Sequence, residues 1–241
     1  TTGGNDWTCL NEQEEVLGVS AIIIPSDYET STTIYIGTGD RDAFDNNGIG
    51  VLKSVDAGAT WNPTGLTLDP ADGDVVNQML LHPADDNTIY AATSAGFYIT
   101  NDAAANWTKS ENIEFVDIEF HPTDPSMIYG STRYGRIYRS ADNGLSWSQI
   151  FQSPSTNRIE LAVTADAPDR LYILAANGNN GLEGIYRSDD QGDNISLIFN
   201  SLSLLNWSPS GSGTNDGQGW YDLSLASDPN NADVVYVGGV N

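Results

Sequence analysis

Positive charge is scarce in this sequence. Nine Lys and Arg stand against 33 Asp and Glu, a formal net charge of -24, and only Lys53 and Lys109 are lysines. A surface this negative repels phosphate backbones and anionic membrane surfaces, so no nucleic acid partner is expected. Divalent cations, neutral ligands and basic partners remain open. Cysteine is nearly absent. Cys9 is alone, which rules out an intrachain disulfide, and beside Leu10 it is expected to be a small buried hydrophobe. No apolar run approaches the roughly 18 residues of a membrane span, so no membrane insertion is expected. The chain opens Thr-Thr-Gly-Gly with neither Met nor an apolar leader, and any targeting segment is expected to be already missing. Gly-x-Ser-x-Gly, His-Glu-x-x-His and a phosphate loop are absent as well.

What is present is enough for a folded core: 241 residues, 39% hydrophobic and 10% aromatic, which argues against disorder despite the charge. One phrase recurs. Residues 54–61 (Ser54, Asp56, Gly58, Thr60, Trp61) match residues 140–147 (Ser140, Asp142, Gly144, Ser146, Trp147). Residues 100–107 are a weaker copy with Ala104 in the glycine place, and residues 188–195 a fourth with Ile195 in place of Trp. Asp accepts from backbone N–H groups ahead of it, Gly supplies a positive φ, and the hydroxyl residues tie the turn down. Trp is expected to plug the space between neighbouring sheets. Before each copy lies a strand such as 135–140, before that a strand centred on Tyr35, Tyr90, Tyr129, Tyr172 or Tyr236, and earlier still an apolar strand. Each repeat is therefore four short antiparallel strands, A to D, with the Asp phrase at the C–D turn. Asp56, Asp102, Asp142 and Asp190 are 46, 40 and 48 residues apart, a spacing that predicts an all-β fold of four-stranded β-propeller blades.

The phrase resembles the Asp-box, or bacterial neuraminidase repeat. The repeat as a whole is similar to the sortilin-type propellers of secreted bacterial proteins and to the propellers of xyloglucan-active glycoside hydrolases. The resemblance implies a propeller in an extracellular or cell-surface protein and says little about activity, because Asp-boxes lie away from the sites in such families. Sialidase activity would need an arginine cluster and an early Arg-Ile-Pro motif, and the seven arginines show neither. Residues 2–7 look like the tail of another copy, and residues 220–241 supply two strands of a further blade. Residues 1–241 are thus expected to be a single segment of a longer propeller, about four full blades with parts of two more, with further blades of the same parent chain as neighbours.

Strand alternation places the A–B and C–D turns on one face and the D–A and B–C loops on the other. The longer insertions, at 40–48, 64–77, 176–183 and 208–219, fall on the second face, where binding is expected. The first carries Asp40, Asp42 and Asp45 before Gly48. Closely spaced oxygen ligands followed by glycine suit Ca²⁺, and a solvated, internally hydrogen-bonded loop with Arg41 against Asp42 suits the same residues. The last insertion leads into Trp220, Tyr221 and Asp222. Aromatic faces beside carboxylate and amide groups are what a sugar site needs, and packing between blades is the alternative. Aligning the A strands gives a polar column of Ser20, Gln78, Asp117, Glu160 and Tyr221. Asp117 and Glu160 on successive blades would serve as acid and base of a glycosidase, or would line a water-filled channel. His82 and His121 share a place before proline, which points to a turn role. The reading that follows is a non-catalytic binding or scaffold propeller with a glycan or protein partner. The alternative is a fragment of a glycoside hydrolase acting on polysaccharide.

Overall fold

The computed structural model describes residues 4, 6–10, 18–42, 45–201, 204–206 and 216–239. Within these, the chain is antiparallel β-sheet with a single helical turn, α1 (Tyr28–Ser31), and one short 3-10 turn at Pro70–Asp72. The first sheet holds β1 (Val19–Ile23), β2 (Ile34–Thr38), β3 (Gly50–Ser54) and β4 (Asn62–Thr67). The second holds β5 (Val76–Leu81), β6 (Ile89–Thr93), β7 (Gly96–Thr100) and β8 (Thr108–Glu111). The third holds β9 (Phe115–His121), β10 (Asp124–Thr132), β11 (Arg136–Ser140) and β12 (Ser148–Gln152). The fourth holds β13 (Thr156–Val163), β14 (Leu171–Asn177), β15 (Leu182–Ser188) and β16 (Ser196–Phe199), and β17 (Ser224–Asp228) pairs with β18 (Asn231–Gly238). In every sheet the spatial order follows the chain order. Two compact units are distinguished, residues 1–91 with 99–108 and residues 92–98 with 109–241. No helix among the described residues is long and apolar enough to cross a membrane.

The second strand of each four-stranded sheet is covered along most of its length, so it carries a continuous apolar run rather than an alternating one. Strands β2 and β6 are buried at every position. Their tyrosines, with those of β10 and β14, are all but inaccessible: Tyr35 2%, Tyr90 1%, Tyr129 1% and Tyr172 2% exposed. Tyr172 OH keeps its bond by donating to Ala232 O at 2.7 Å. In the second unit, Met127, Tyr129, Ile137, Ile159, Leu161, Leu171 and Ile173 form one core layer. Leu174, Ala176, Leu182, Ile185, Leu205 and Leu223 form another.

All four copies of the phrase close the same turn between the third and fourth strands. Asp142 accepts from Ser140 Oγ at 2.8 Å, Ser146 N at 2.9 Å and Ser146 Oγ at 2.5 Å. Asp56, Asp102 and Asp190 repeat the pattern with Thr60, Asn106 and Asn194. Gly58, Gly144 and Gly192 take φ of 88°, 78° and 94°. Ala104 takes φ 70° in the same place, so the weaker copy folds alike and bears the left-handed strain that glycine avoids.

Three expectations need correction. Trp61, Trp107 and Trp147 are half-buried, not largely buried. Trp147 still packs at 4.4 Å on Phe115 and edge-on at 5.2 Å on Phe97. Trp7, in the residues read as the tail of another copy and so at the plugging position, is 89% exposed. Cys9 is exposed, since residues 6–10 form no strand that would cover it. Two of the expected insertions are also shorter. Residues 64–67 and 76–77 continue β4 and β5, and residues 176–177 and 182–183 continue β14 and β15.

Truncating Trp147 to Ala removes a half-buried indole from a rigid aromatic group, and a loss of about 2–3 kcal/mol is expected in denaturant unfolding. The four turn aspartates titrate below their ordinary value of 3.8, chiefly because Thr60, Asn106, Ser146 and Asn194 side chains donate to the ionised form. A depressed native pKa adds stability above the unfolded value that disappears as pH falls through the native one. The melting temperature is therefore expected to fall as pH drops below about 3.8, and less steeply in Asp142→Asn.

Candidate functional site

In the second unit Asp117 lies on β9 and Glu160 on β13, both of them bonded, while Tyr221 precedes β17. Asp117 is 4% exposed, and its Oδ2 accepts from Leu161 N at 2.6 Å. That bond satisfies an edge N–H of β13 that no strand pairs. Ser227 Oγ donates to Val163 O, and Ser131 Oγ to Ile159 O at 2.8 Å, in the same manner. In the first unit Ser20 Oγ donates to Val76 O, and Gln78 is half-buried on β5.

Glu160 is bound differently. Arg158, two residues earlier and on the same face of β13, donates to Glu160 Oε1 from Nε at 3.1 Å and from Nη2 at 2.7 Å. Its remaining Nη1 donates to Trp220 O at 2.6 Å and Tyr221 O at 3.5 Å. Arg158 is 4% exposed, so this guanidinium is a buried brace between β13 and the segment before β17. Sequence reasoning passed over Arg158. The Arg-x-Glu spacing on a strand, which puts both side chains on one face, was the available signal.

That segment is seated by close backbone approach. A Cβ on Gly217 would sit 1.9 Å from Leu205 O, and one on Gly219 would sit 2.6 Å from Ala176 Cβ. Gly217 N and Gly219 N donate to Asn179 O and Asn180 O at the β14–β15 turn. Tyr221 N and Asp222 N both donate to Gln218 O at 2.8 Å. Trp220 and Tyr221 are thereby presented at 41% and 48% exposure, rings 5.3 Å apart and tilted by 49°. Asp222 beside them is half-buried. About half of each aromatic residue is thus open to solvent among the described residues. Residues 207–215, the body of the expected insertion, lie outside the described residues.

Glu119, which sequence reasoning did not single out, lies near enough to Glu160 to feel its charge. Burial first, and the charge of Glu160 second, push its carboxyl from 4.5 up to about 7. Between these values the unfolded chain ionises while the native chain keeps the proton, so stability falls as pH rises across that window. Glu119→Gln is expected to raise the melting temperature at pH 8 and to leave it nearly unchanged at pH 4.5.

The acidic loop of the first unit is internally bonded. Asp42 N donates to Asp40 Oδ1 at 2.8 Å, Arg41 Nε lies 3.6 Å from Asp42 Oδ2, and Asn46 Nδ2 donates to Asp45 Oδ1 at 2.7 Å. Among the described residues no three His, Cys, Asp or Glu converge as a metal-ligand set. Residues 43–44 of the loop lie outside the described ones.

His82 and His121 serve their turns. His82 Nδ1 accepts from Ala84 N at 3.2 Å, and His121 Nδ1 accepts from Thr123 N at 3.4 Å.

Sequential four-stranded antiparallel sheets, closed by recurrent Asp turns and lined by bonded polar groups on their first strands, define a β-propeller. The chain belongs to the Sortilin-Vps10 family, whose model, described as sortilin, neurotensin receptor 3, matches residues 95–233. It is similar to a xyloglucanase of Hypocrea jecorina, 27% identical over 195 residues, covering 78% of this chain and 22% of that protein. A xyloglucanase of Paenibacillus sp is 24% identical over 244 residues, covering 86% of this chain and 23% of that protein. The chain thus spans less than a quarter of either relative. Among solved structures it shares its fold with an ancestral GH74 enzyme, at TM-score 0.66 and 19% identity over 91% of this chain and 27% of that one. The GH74 enzyme of Niastella koreensis follows at TM-score 0.63 and 19% identity, over 91% of this chain and 33% of that one.

Proposed function

We propose that this chain is a glycan-binding part of a longer, extracellular or cell-surface propeller protein, and that it holds a glucan of the xyloglucan type without cleaving it. The observation that carries this reading is the exposed Trp220–Tyr221 pair. Large apolar rings in solvent contribute nothing to a core, and here a buried guanidinium and two close-packed glycines hold them in place. Sugar rings present C–H faces that stack on such aromatics, while Asp222 offers a carboxylate to hydroxyls. The similarity to xyloglucanases supports the glucan class. The commitment of Asp117 to Leu161 N and of Glu160 to Arg158 supports the absence of hydrolysis, since an acid and a base must reach the scissile bond.

A second reading, a fragment of a polysaccharide hydrolase, is favoured by Glu119. A carboxyl whose pKa is pushed up to about 7 near a second one bonded to arginine resembles the usual division of labour between acid and base. Affinity electrophoresis in xyloglucan gels, run beside a reducing-sugar assay, separates the two. Retardation without release of reducing ends is expected, with affinity lowered at least about fivefold in Trp220→Ala, the effect of a stacking hot spot. Reducing ends that disappear in Glu160→Gln would establish the hydrolase.

A further inference from the structure

A separate cavity of about 260 Å³ opens in the second unit, where residues 112–114 meet the β10–β11 turn. Asn112, Glu114, Arg133, Tyr134, Arg136 and Tyr138 line it. It owes nothing to the Trp220–Tyr221 pair, and three features mark it.

The first is Tyr134. Its φ is 72°, followed by Gly135 at 75°, the pair of positive φ values that a tight hairpin turn takes with Asn-Gly. A bulky residue in the left-handed region is costly and uncommon, and such outliers gather at functional positions. The ring recovers nothing by burial, being 71% exposed. The second is charge. Arg133 Nε is matched by Glu114 Oε1 at 3.2 Å. Arg136 is exposed, and among the described residues no acid pairs with it. On a chain of net charge -24, the cavity therefore carries a surplus positive charge. The third is rigidity. Tyr138 shares the strand face of Arg136 and stands edge-on against buried Phe115, ring centres 5.9 Å apart.

Size limits the ligand. Pockets for drug-sized molecules run from roughly 300 to 1,000 Å³, so this one suits a single ring. A neutral hexose would leave Arg136 unmatched. A phosphate would face one spare cation and a strongly repulsive surface. A carboxylate on a sugar ring meets all the groups present. The carboxylate would match the Arg136 fork, the sugar's C–H face the exposed Tyr134 ring, and its hydroxyls Asn112 and Glu114 of the lining. We propose that this cavity binds an acidic sugar residue, a uronate, one ring at a time.

Isothermal titration of the intact protein with trigalacturonate, and with cellotriose as the neutral match, tests this. Trigalacturonate is expected to bind more tightly at low than at high salt. Arg136→Gln is expected to lower its affinity at least tenfold. Tyr134→Asn is expected to lower it comparably while the melting temperature holds or rises, because Asn tolerates the left-handed backbone. Equal affinity for the neutral and acidic trisaccharides at this cavity would overturn the proposal, as would trigalacturonate binding untouched by both substitutions. Cellotriose binding that Trp220→Ala removes and Tyr134→Asn spares would report on the other site alone, so each reading can fail by itself.

Discussion

The carboxylate of each turn aspartate is the contact on which the remaining architecture depends. One side chain accepts three hydrogen bonds at once, one from backbone and two from hydroxyls. Oδ1 of Asp142 receives Ser140 Oγ and Ser146 N, while Oδ2 receives Ser146 Oγ. Ser140 Oγ in turn receives Gly144 N at 2.9 Å. A turn that would otherwise carry unpaired backbone groups is closed by a network in which every member donates or accepts. With the turn fixed, the third and fourth strands pair across a register shift, and Trp147 is delivered to Phe97 and Phe115. The copy with Ala104 shows how strong the network is, since it holds a β-carbon in the left-handed region.

Sheets of this kind leave one further difficulty, the unpaired edge of each first strand. Here the edges are met by short polar side chains of neighbouring sheets. Asp117 serves Leu161 N, Ser131 serves Ile159 O and Ser227 serves Val163 O. Polar residues on inner strands are thus part of how the blades adhere. The same residues in a sequence look like candidates for chemistry, which is why a polar column alone could not distinguish a reagent from a tie.

Exposure and bracing distinguish them instead. Arg158 spends its guanidinium on Glu160 and on two backbone carbonyls, and the aromatic residues bearing those carbonyls stay in solvent. Tyr134 is likewise held outward by a turn that would be easier to form without it. In both places the scaffold bears a local burden, a buried charge or a strained φ, whose counterpart lies at the surface.

Much of the fold was legible in the residues because its signals are local. The Asp phrase spans eight positions, and its chemistry needs nothing beyond them, so the repeat, the strand order and the turn positions followed from the chain itself. Tyr35, Tyr90, Tyr129 and Tyr172 marked the covered strands for the same reason. Cys9 and Trp7 were misjudged because local apolar character does not show whether a neighbouring strand is there to cover it. The site was legible only as a set of residue types. Asp117 meets a backbone group 44 residues away, and Arg158 meets one 62 residues away. No periodicity records such contacts, since they arise only when separate sheets pack. Composition and repeats determined what kind of surface this protein has, and tertiary packing alone decided which of its carboxylates are bound and which of its aromatic rings face water.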